Sequence, residues 1–349
     1  MLTTILNPDS VEHLKRLLDQ SKYIVITCHL SPDGDAMGSS LALYRVLTAI
    51  GKKVKVVVPD TPPKYLMFLP GADQVVIYSR NEQFVQKIFA TTDLIFCLDY
   101  NEPKRVDLMA DILVSSPAKK VMIDHHLDPS DMPDAVISHP EESATASLIY
   151  RVLHALGLGD MIDTDSATCI YTGMMTDTGN FSYNSNKPDL YEIVADLIRK
   201  GINKDAVYQQ IYFCDSFNRL RLNGFALYEK MQIFPEHKAA LITLTRDELN
   251  RFQYQKGDTE ALVNRPLTIP DVVYSVFLRE ETDYIKVSTR SKGSFPVNKI
   301  CEAYYNGGGH LNAAGGEFIG TMEEAVEVLH RLMPEYDQYL SADKHEETK

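Results

Sequence analysis

Positive charge is what this chain lacks most. Its 349 residues carry 35 lysines and arginines against 48 aspartates and glutamates, a formal net charge of -13. Proteins that wrap long nucleic acid are usually basic, so a long duplex partner is not expected. A short anionic ligand gripped by metal ions and a local basic cluster remains compatible with the charge. Cysteine is sparse too. Cys28, Cys97, Cys169, Cys214 and Cys301 are odd in number and form no CxxC pair, which points to a reducing cytoplasm. No uninterrupted apolar stretch is long enough to span a membrane, and MLTTILNPDSVEHLKRLLDQ has no apolar signal core, so no membrane partner is expected. Repeats and low-complexity tracts are missing. There is no nucleophile elbow with a Ser–His–Asp set, and neither Thr27 nor Ser182 is a convincing nucleophile. The glycines at 307–309 lack the Gly-Lys-Ser/Thr ending of an ATP-binding loop.

What is present is a hydrophobic content of 44%, ample for a core and, at this length, for two domains. Residues 11–20 read as a helix and KYIVITC (22–28) as a buried strand. A loop follows, then a helix over 38–51 and a strand in KKVKVVVP. DLIFCLDY and KKVMIDHH end two more strands at Tyr100 and His126, and 143–156, 164–175 and 188–199 read as helices. Short β-rich runs alternating with helices indicate an α/β fold, a mostly parallel sheet covered by helices. After residue 200 the pattern changes to a smaller, mixed α/β lobe. VVYSVFLREE and YIKVSTRS make a hairpin with Glu281, Thr282 and Asp283 near its turn, and TMEEAVEVLHRLMPEY makes a helix. The expected division is a catalytic domain over 1–203, a helical linker over 204–234, a second domain over 235–340 and a frayed tail over 341–349.

Acids and imidazoles gather at the ends of the apolar runs, where ligands of such sheets collect. His29 follows IVITC, and Asp33 and Asp35 flank Gly34 in a loop. Gly34 and Gly38 let the backbone fold closely around an ion. The following helix start offers N–H groups to a phosphate oxygen, with Ser39 and Ser40 as candidate caps or anion contacts. The bland alternative is an Asp-Gly turn with a helix cap. Asp99 closes LIFCL, where a buried carboxylate is costly unless something positive answers it. It is the best bridging candidate, since two cations about 3.5–4 Å apart need a shared anionic oxygen. Asp124, His125 and His126 end another strand; Asp124 is read as support, His125 as a ligand and His126 as a contact to a phosphoryl oxygen. Asp177, in YTGMMTDTGNF, is placed in a tight polar loop after a helix.

These residues resemble the DHH phosphoesterase family. HLSPDGDA at 29–36, Asp99, IDHH at 123–126 and Asp177 in TDTGNF carry the likeness. STR at 288–290 and GGGHLNAAGG at 307–316 resemble the family's C-terminal DHHA1 domain. The two-domain length is similar to the NrnA-like branch, bifunctional oligoribonucleases and 3'-phosphoadenosine 5'-phosphate phosphatases. The resemblance implies two Mn2+ ions, one on His29, Asp33 and Asp99 and one on Asp35, Asp99, His125 and Asp177. Zinc or cobalt would suit the same ligands. It implies hydrolysis of short RNA, linear dinucleotides and small phosphorylated nucleotides.

The second lobe would then hold the substrate's remote phosphate. Arg290 offers a bidentate grip, Gly307, Gly308 and Gly309 offer backbone N–H groups, and His310 and Asn312 add directional contacts. Tyr304 and Tyr305 are candidate base-stacking residues, more often packing, and Lys292 is a candidate for steering phosphate. An exopolyphosphatase or pyrophosphatase is the alternative reaction, and a non-catalytic nucleotide-binding protein the alternative class. A homodimer is compatible with the sequence, which shows no symmetric interface.

Overall fold

A computed structural model describes residues 5–213 and 215–340. The tail 341–349, expected to fray, and Cys214 lie outside the described residues. The chain forms two compact units, Met1–Cys214 and Asp215–Lys349.

The first unit begins with helix α1 (Pro8–Gln20), strand β1 (Tyr23–Thr27), helix α2 (Gly34–Ala49) and strands β2 (Lys53–Val58) and β3 (Val76–Ile77). It continues through α3 (Glu82–Thr91), β4 (Leu94–Leu98), α4 (Ala110–Ser115), β5 (Lys119–Asp124) and β6 (Ala135–Ser138). Helices α5 (Thr145–Ala155), α6 (Thr164–Asp177), α7 (Pro188–Arg199) and α8 (Lys204–Tyr212) complete it. The sheet has the order β3-β2-β1-β4-β5-β6, and every pairing is parallel. This is the expected α/β architecture. Its central strands are buried on both faces, which is why they read as continuous apolar runs rather than alternating ones. Ile24 and Ile26 face the core shared with α2, α5 and α6, while Val25 faces the one shared with α3 and α4.

The order in which strands are added reverses between β1 and β4, and ligand crevices of open α/β sheets form at such a point. Register supplies the rest. Thr27 pairs with Cys97, and Cys97 pairs with Met122. Two residues further along each strand stand His29, Asp99 and Asp124, brought level by the same offset.

Two local expectations are corrected. Helix α2 starts at Gly34, not Gly38, because Asp33 caps it: the Asp33 carboxylate accepts the N–H groups of Asp35 and Ala36, each at 3.0 Å. Those donors are therefore not offered to a phosphate. Ser39 and Ser40 lie buried inside the helix, and Ser39 Oγ donates back to the Ala36 carbonyl. Asp177 is the last residue of α6 rather than part of a loop. The threonines that looked loop-forming satisfy themselves within the helix, Thr172 Oγ1 on the Thr168 carbonyl and Thr176 Oγ1 on that of Thr172. Helices α2 and α6 make the most extensive helix–helix contact of the fold. Gly38 and Gly173 allow it, since a Cβ on Gly38 would lie 2.5 Å from the Cys169 carbonyl oxygen.

The second unit contains α9 (Phe217–Phe225), β7 (Gln232–Phe234), β8 (Ala239–Leu244), α10 (Arg246–Arg251), β9 (Tyr274–Glu280) and β10 (Ile285–Ser291). It ends with α11 (Val297–Tyr304), β11 (Gly308–His310), β12 (Ala313–Phe318) and α12 (Met322–Tyr336). Its sheet is mixed, in the order β11-β12-β10-β9-β8-β7, with β8 and β9 parallel and the other pairs antiparallel. The hairpin expected over 272–291 is present as β9 and β10, closed by the Glu281 N–H on the Tyr284 carbonyl at 2.8 Å. Segment 204–234 is shared between the units, α8 falling in the first and α9 and β7 in the second.

Candidate metal centre

Four aspartates and three histidines converge beyond the carboxyl ends of β1, β4 and β5. His29 Nε2 lies 3.5 Å from Asp99 Oδ2 and 3.7 Å from Asp33 Oδ2. His125 Nε2 lies 3.4 Å from Asp177 Oδ2, 3.6 Å from Asp99 Oδ1 and 4.0 Å from Asp35 Oδ2. Ligand atoms of His29, Asp33 and Asp99 lie within 4.8 Å of one another, as do those of Asp35, His125 and Asp177 and those of Asp99, His125 and His126. Asp99 thus divides its two oxygens, one toward His29 and one toward His125. Its left-handed backbone, φ 63°, turns the chain at the strand end.

Hydrogen bonds fix the imidazoles. His29 Nδ1 lies 2.7 Å from the Leu30 carbonyl and His125 Nδ1 lies 3.2 Å from the Glu142 carbonyl. A carbonyl can only accept, so each Nδ1 carries the proton and each Nε2 faces the carboxylates. An Nε2 facing anions is favourable only when a cation stands between them, a proton in the metal-free protein or a metal ion in its place. This is the arrangement of metal-binding histidines oriented by a carbonyl behind them. His126 Nδ1 meets Asp124 Oδ1 at 2.7 Å, and Asp124 is fully buried.

The carboxylates are held as tightly. Asp35, on the first turn of α2, accepts the N–H groups of Thr145 at 2.6 Å and Ala146 at 2.8 Å, the start of α5. Thr145 Oγ1 donates to Asp99 Oδ1 at 2.9 Å. Sequence reading missed Thr145 and Glu142. Thr145 had a weak signal, a hydroxyl at a helix start; Glu142 acts through its main chain and had none.

The electrostatics are frustrated. Burial, then the charges of Asp99, Asp177 and Asp33, push Asp35 well above the usual carboxylate range. Burial and the charges of Asp99 and Asp33 push Asp177 up in the same way. Burial also works against Asp99, but hydrogen bonding to His29 and the nearby histidines hold it low. His29 is raised well above an ordinary imidazole: burial opposes this, and its hydrogen bonds to Asp33 and Asp99 outweigh burial. The cage cannot ionise all its acids without added positive charge. Its mixed carboxylate and imidazole donors fit a divalent ion.

In the second unit, Gly308–His310 of GGGH form strand β11 in a hairpin with β12. The glycines permit close strand packing, since a Cβ on Gly307 would lie 2.0 Å from the Gly315 carbonyl oxygen. Gly307 donates its N–H to the Cys301 carbonyl, so that group is already satisfied. Arg290 lies at the end of β10, level with Ala313, and its Nη1 donates to the Thr289 carbonyl. The Asn312 amide donates to Ser291 Oγ and the Gly293 carbonyl, each at 2.8 Å. Gly308, Gly309 and His310 lie along the hairpin's outer strand, His310 exposed. Lys292 binds the carbonyls of Leu267, Ile269 and Pro270. Tyr305 is buried with its hydroxyl on the Ala325 carbonyl, and Tyr304 bonds Glu335, so both tyrosines serve packing.

Comparison with known proteins follows the same division. Residues 23–174 match the model of the DHH family, N-terminal domain, and residues 239–335 match that of the DHHA1 domain. The bifunctional oligoribonuclease and PAP phosphatase NrnA of Thermus thermophilus is 31% identical over 305 residues, 87% of either chain. The protein of the same description from Bacillus subtilis (strain 168) is 29% identical over 310 residues, 88% of this chain and 93% of that one. The crystal structure of an exopolyphosphatase-related protein from Bacteroides fragilis is 46% identical, with a TM-score of 0.95 over 97% of this chain and 99% of that one. Among the described residues no helix is long and apolar enough to cross a membrane.

Proposed function

We propose a function on one premise: the chain belongs to the DHH/DHHA1 phosphoesterase family. It is a two-metal, manganese-dependent hydrolase of short oligoribonucleotides, linear dinucleotides included, which it converts to mononucleotides. It also converts 3'-phosphoadenosine 5'-phosphate to AMP. The descriptions of the Thermus and Bacillus relatives support the substrates. One observation carries the metal count: Asp99 splits its oxygens between the His29 side and the His125 side, as a bridging ligand would. His29 and Asp33 would hold one ion with Asp99; Asp35, His125 and Asp177 would hold the other. Two divalent ions balance the four carboxylates.

Bound divalent ions supply a lowered water pKa and neutralise phosphoryl charge. The chain's own residues do the rest. The carbonyls of Leu30 and Glu142 keep the Nε2 lone pairs of His29 and His125 aimed at the ions. Asp124 fixes the ring of His126 through Nδ1, so that the opposite edge of the ring can contact a phosphoryl oxygen. Arg290, Gly308, Gly309, His310 and Asn312 would bind the substrate's remote phosphate or nucleotide, Gly307 shaping the turn rather than donating to the ligand.

The description of the Bacteroides relative favours a second reading, hydrolysis of inorganic polyphosphate. One Mn2+-supplemented panel separates the two. It would contain 3'-phosphoadenosine 5'-phosphate, pApA, pGpG, RNAs of two to five and of twenty residues, and polyphosphate. Turnover of the short nucleotides and a weaker rate on the 20-mer are expected. Turnover of polyphosphate alone would overturn the nucleotide assignment.

A further inference from the structure

The connection 139–144, between β6 and α5, supplies no side chain to the metal cluster, yet it and the helix start it leads into orient three of the cluster's groups. The Glu142 carbonyl accepts from His125 Nδ1 at 3.2 Å. Immediately past the connection, the N–H groups of Thr145 and Ala146 hold Asp35, and the Thr145 hydroxyl holds Asp99. Ser143 Oγ donates to the Asn184 carbonyl at 2.6 Å, in the segment that follows Asp177.

A buried ion pair anchors this turn. Arg151, in the middle of α5, is 2% exposed, and Glu142 is 5% exposed. Arg151 Nε lies 3.0 Å from Glu142 Oε2 and its Nη2 lies 3.3 Å from Oε1, a two-pronged contact. Ser147 Oγ donates to Glu142 Oε2 at 2.8 Å. The guanidinium also reaches Asp189 on α7 at 3.4 Å.

We propose that the Glu142–Arg151 pair is a positioning device for the metal centre. It fixes the turn against α5, and through it the tautomer and direction of His125 and the seats of Asp35 and Asp99. The inference rests on the metal reading above. Stability alone does not account for the pair. Taking two charges out of water is expensive, and apolar side chains of similar volume commonly serve a core as well or better. What a forked guanidinium–carboxylate contact adds is a fixed distance and angle. Groups behind metal ligands typically change metal affinity by about 10–100-fold when removed.

The test uses the full chain with Arg151→Met, Glu142→Leu, the double variant and Ser147→Ala. Mn2+ affinity is read by calorimetry, and the His125 ring by 15N NMR of the metal-free protein at constant pH. Each single charge removal should lower the melting temperature, because it strands a buried charge. The double variant should regain melting stability, yet bind Mn2+ about 10–100-fold more weakly. Its His125 15N signals should move toward a mixture of tautomers. A double variant with wild-type Mn2+ affinity and unchanged His125 signals would overturn the proposal and leave the pair a packing element. Should the double variant not fold, Ser147→Ala decides. It removes one hydrogen bond to the Glu142 carboxylate, and a few-fold weaker Mn2+ affinity is expected, an unchanged one being contrary. A wild-type protein that binds no Mn2+ would instead remove the metal reading and this inference with it, a distinguishable result.

Discussion

Replacing Gly38 by alanine should weaken both the fold and the metal site. On helix propensity alone, alanine is favoured there by about 1 kcal/mol. The crossing of α2 and α6 reverses the sign. The new methyl would stand 2.5 Å from the Cys169 carbonyl oxygen and 2.9 Å from the Gly173 nitrogen, both backbone atoms that cannot rotate away. That is roughly 1 Å short of ordinary contact, so the helices must separate. Overpacking of this kind costs about 1–3 kcal/mol. With rigid backbone on the far side the upper half applies, and the net loss is about 1–2 kcal/mol. For a unit of this size the melting temperature should fall by about 2–8 °C. Helix α2 carries Asp35 and α6 carries Asp177, so separation also pulls two carboxylates apart. A misplacement of about 1 Å at a reacting centre can cost roughly 10²-fold in rate. Calorimetric melting and a Mn2+ titration measure the two effects. A variant that melts at or above wild type with unchanged Mn2+ affinity would refute the close-crossing argument.

Asp99→Ala should nearly abolish Mn2+-dependent turnover while far-UV circular dichroism stays native; a wild-type rate would remove Asp99 from the assignment. Thr145→Val strips the hydroxyl donor from buried Asp99 at a cost of about 1–3 kcal/mol, so turnover should drop about tenfold or more, and full activity would count against Thr145 as a positioning group. Arg290→Ala should raise KM by about 10–100-fold with less change in kcat, as expected for losing a charged hydrogen bond to phosphate, and an unaltered KM would contradict the clamp. In metal-free protein, Asp35, Asp177 and His29 all titrate above their ordinary values. Stability from such groups is complete below the unfolded pKa, about 4 for Asp and about 6.5 for His, and is lost as pH rises through the folded value. Asp99 acts in the opposite sense, losing its contribution only as pH falls below about 4. The metal-free melting temperature should therefore fall from about pH 5 to about pH 8 and flatten with saturating Mn2+; a rise across that window would be contrary.

The parts of the site that lie on strands were legible because two rules fix them. A buried parallel strand is a run of apolar residues, and its carboxyl end is where a ligand sits. IVITC before His29, LIFCL before Asp99 and KKVMI before Asp124 each announce their own ends. Asp177 was misplaced because its surroundings, glycine and threonine, carry loop propensity. Only the contact with α2 shows that Gly173 is there for proximity and that Thr172 and Thr176 bond within their helix. GGGH carries the same ambiguity, because glycine's two uses, close packing and backbone access for an anion, are identical in one dimension. Thr145 and Glu142 were out of reach because their roles depend on which helix start abuts Asp35 and which carbonyl lies behind His125. Both facts are set by packing across more than a hundred residues in one case and by a turn in the other.

That packing also explains why the site is costly to the protein that carries it. Asp35 and Asp99 lie buried against the start of α5, out of reach of bulk water. The N–H groups of α5 and the Thr145 hydroxyl reduce the desolvation of these carboxylates but add no positive charge. The opposing titration directions of Asp35 and Asp99 express this: one acid keeps its charge because its neighbours hold protons. A fold selected for stability alone would relieve the cage with a lysine or an apolar residue. Here the strain is retained and the imidazole Nε2 atoms are held facing the carboxylates, where a divalent cation would supply the missing charge. The acids were legible as a set because no structural use of them in the core would repay their burial, and the fold that buries them makes their charge available to an ion.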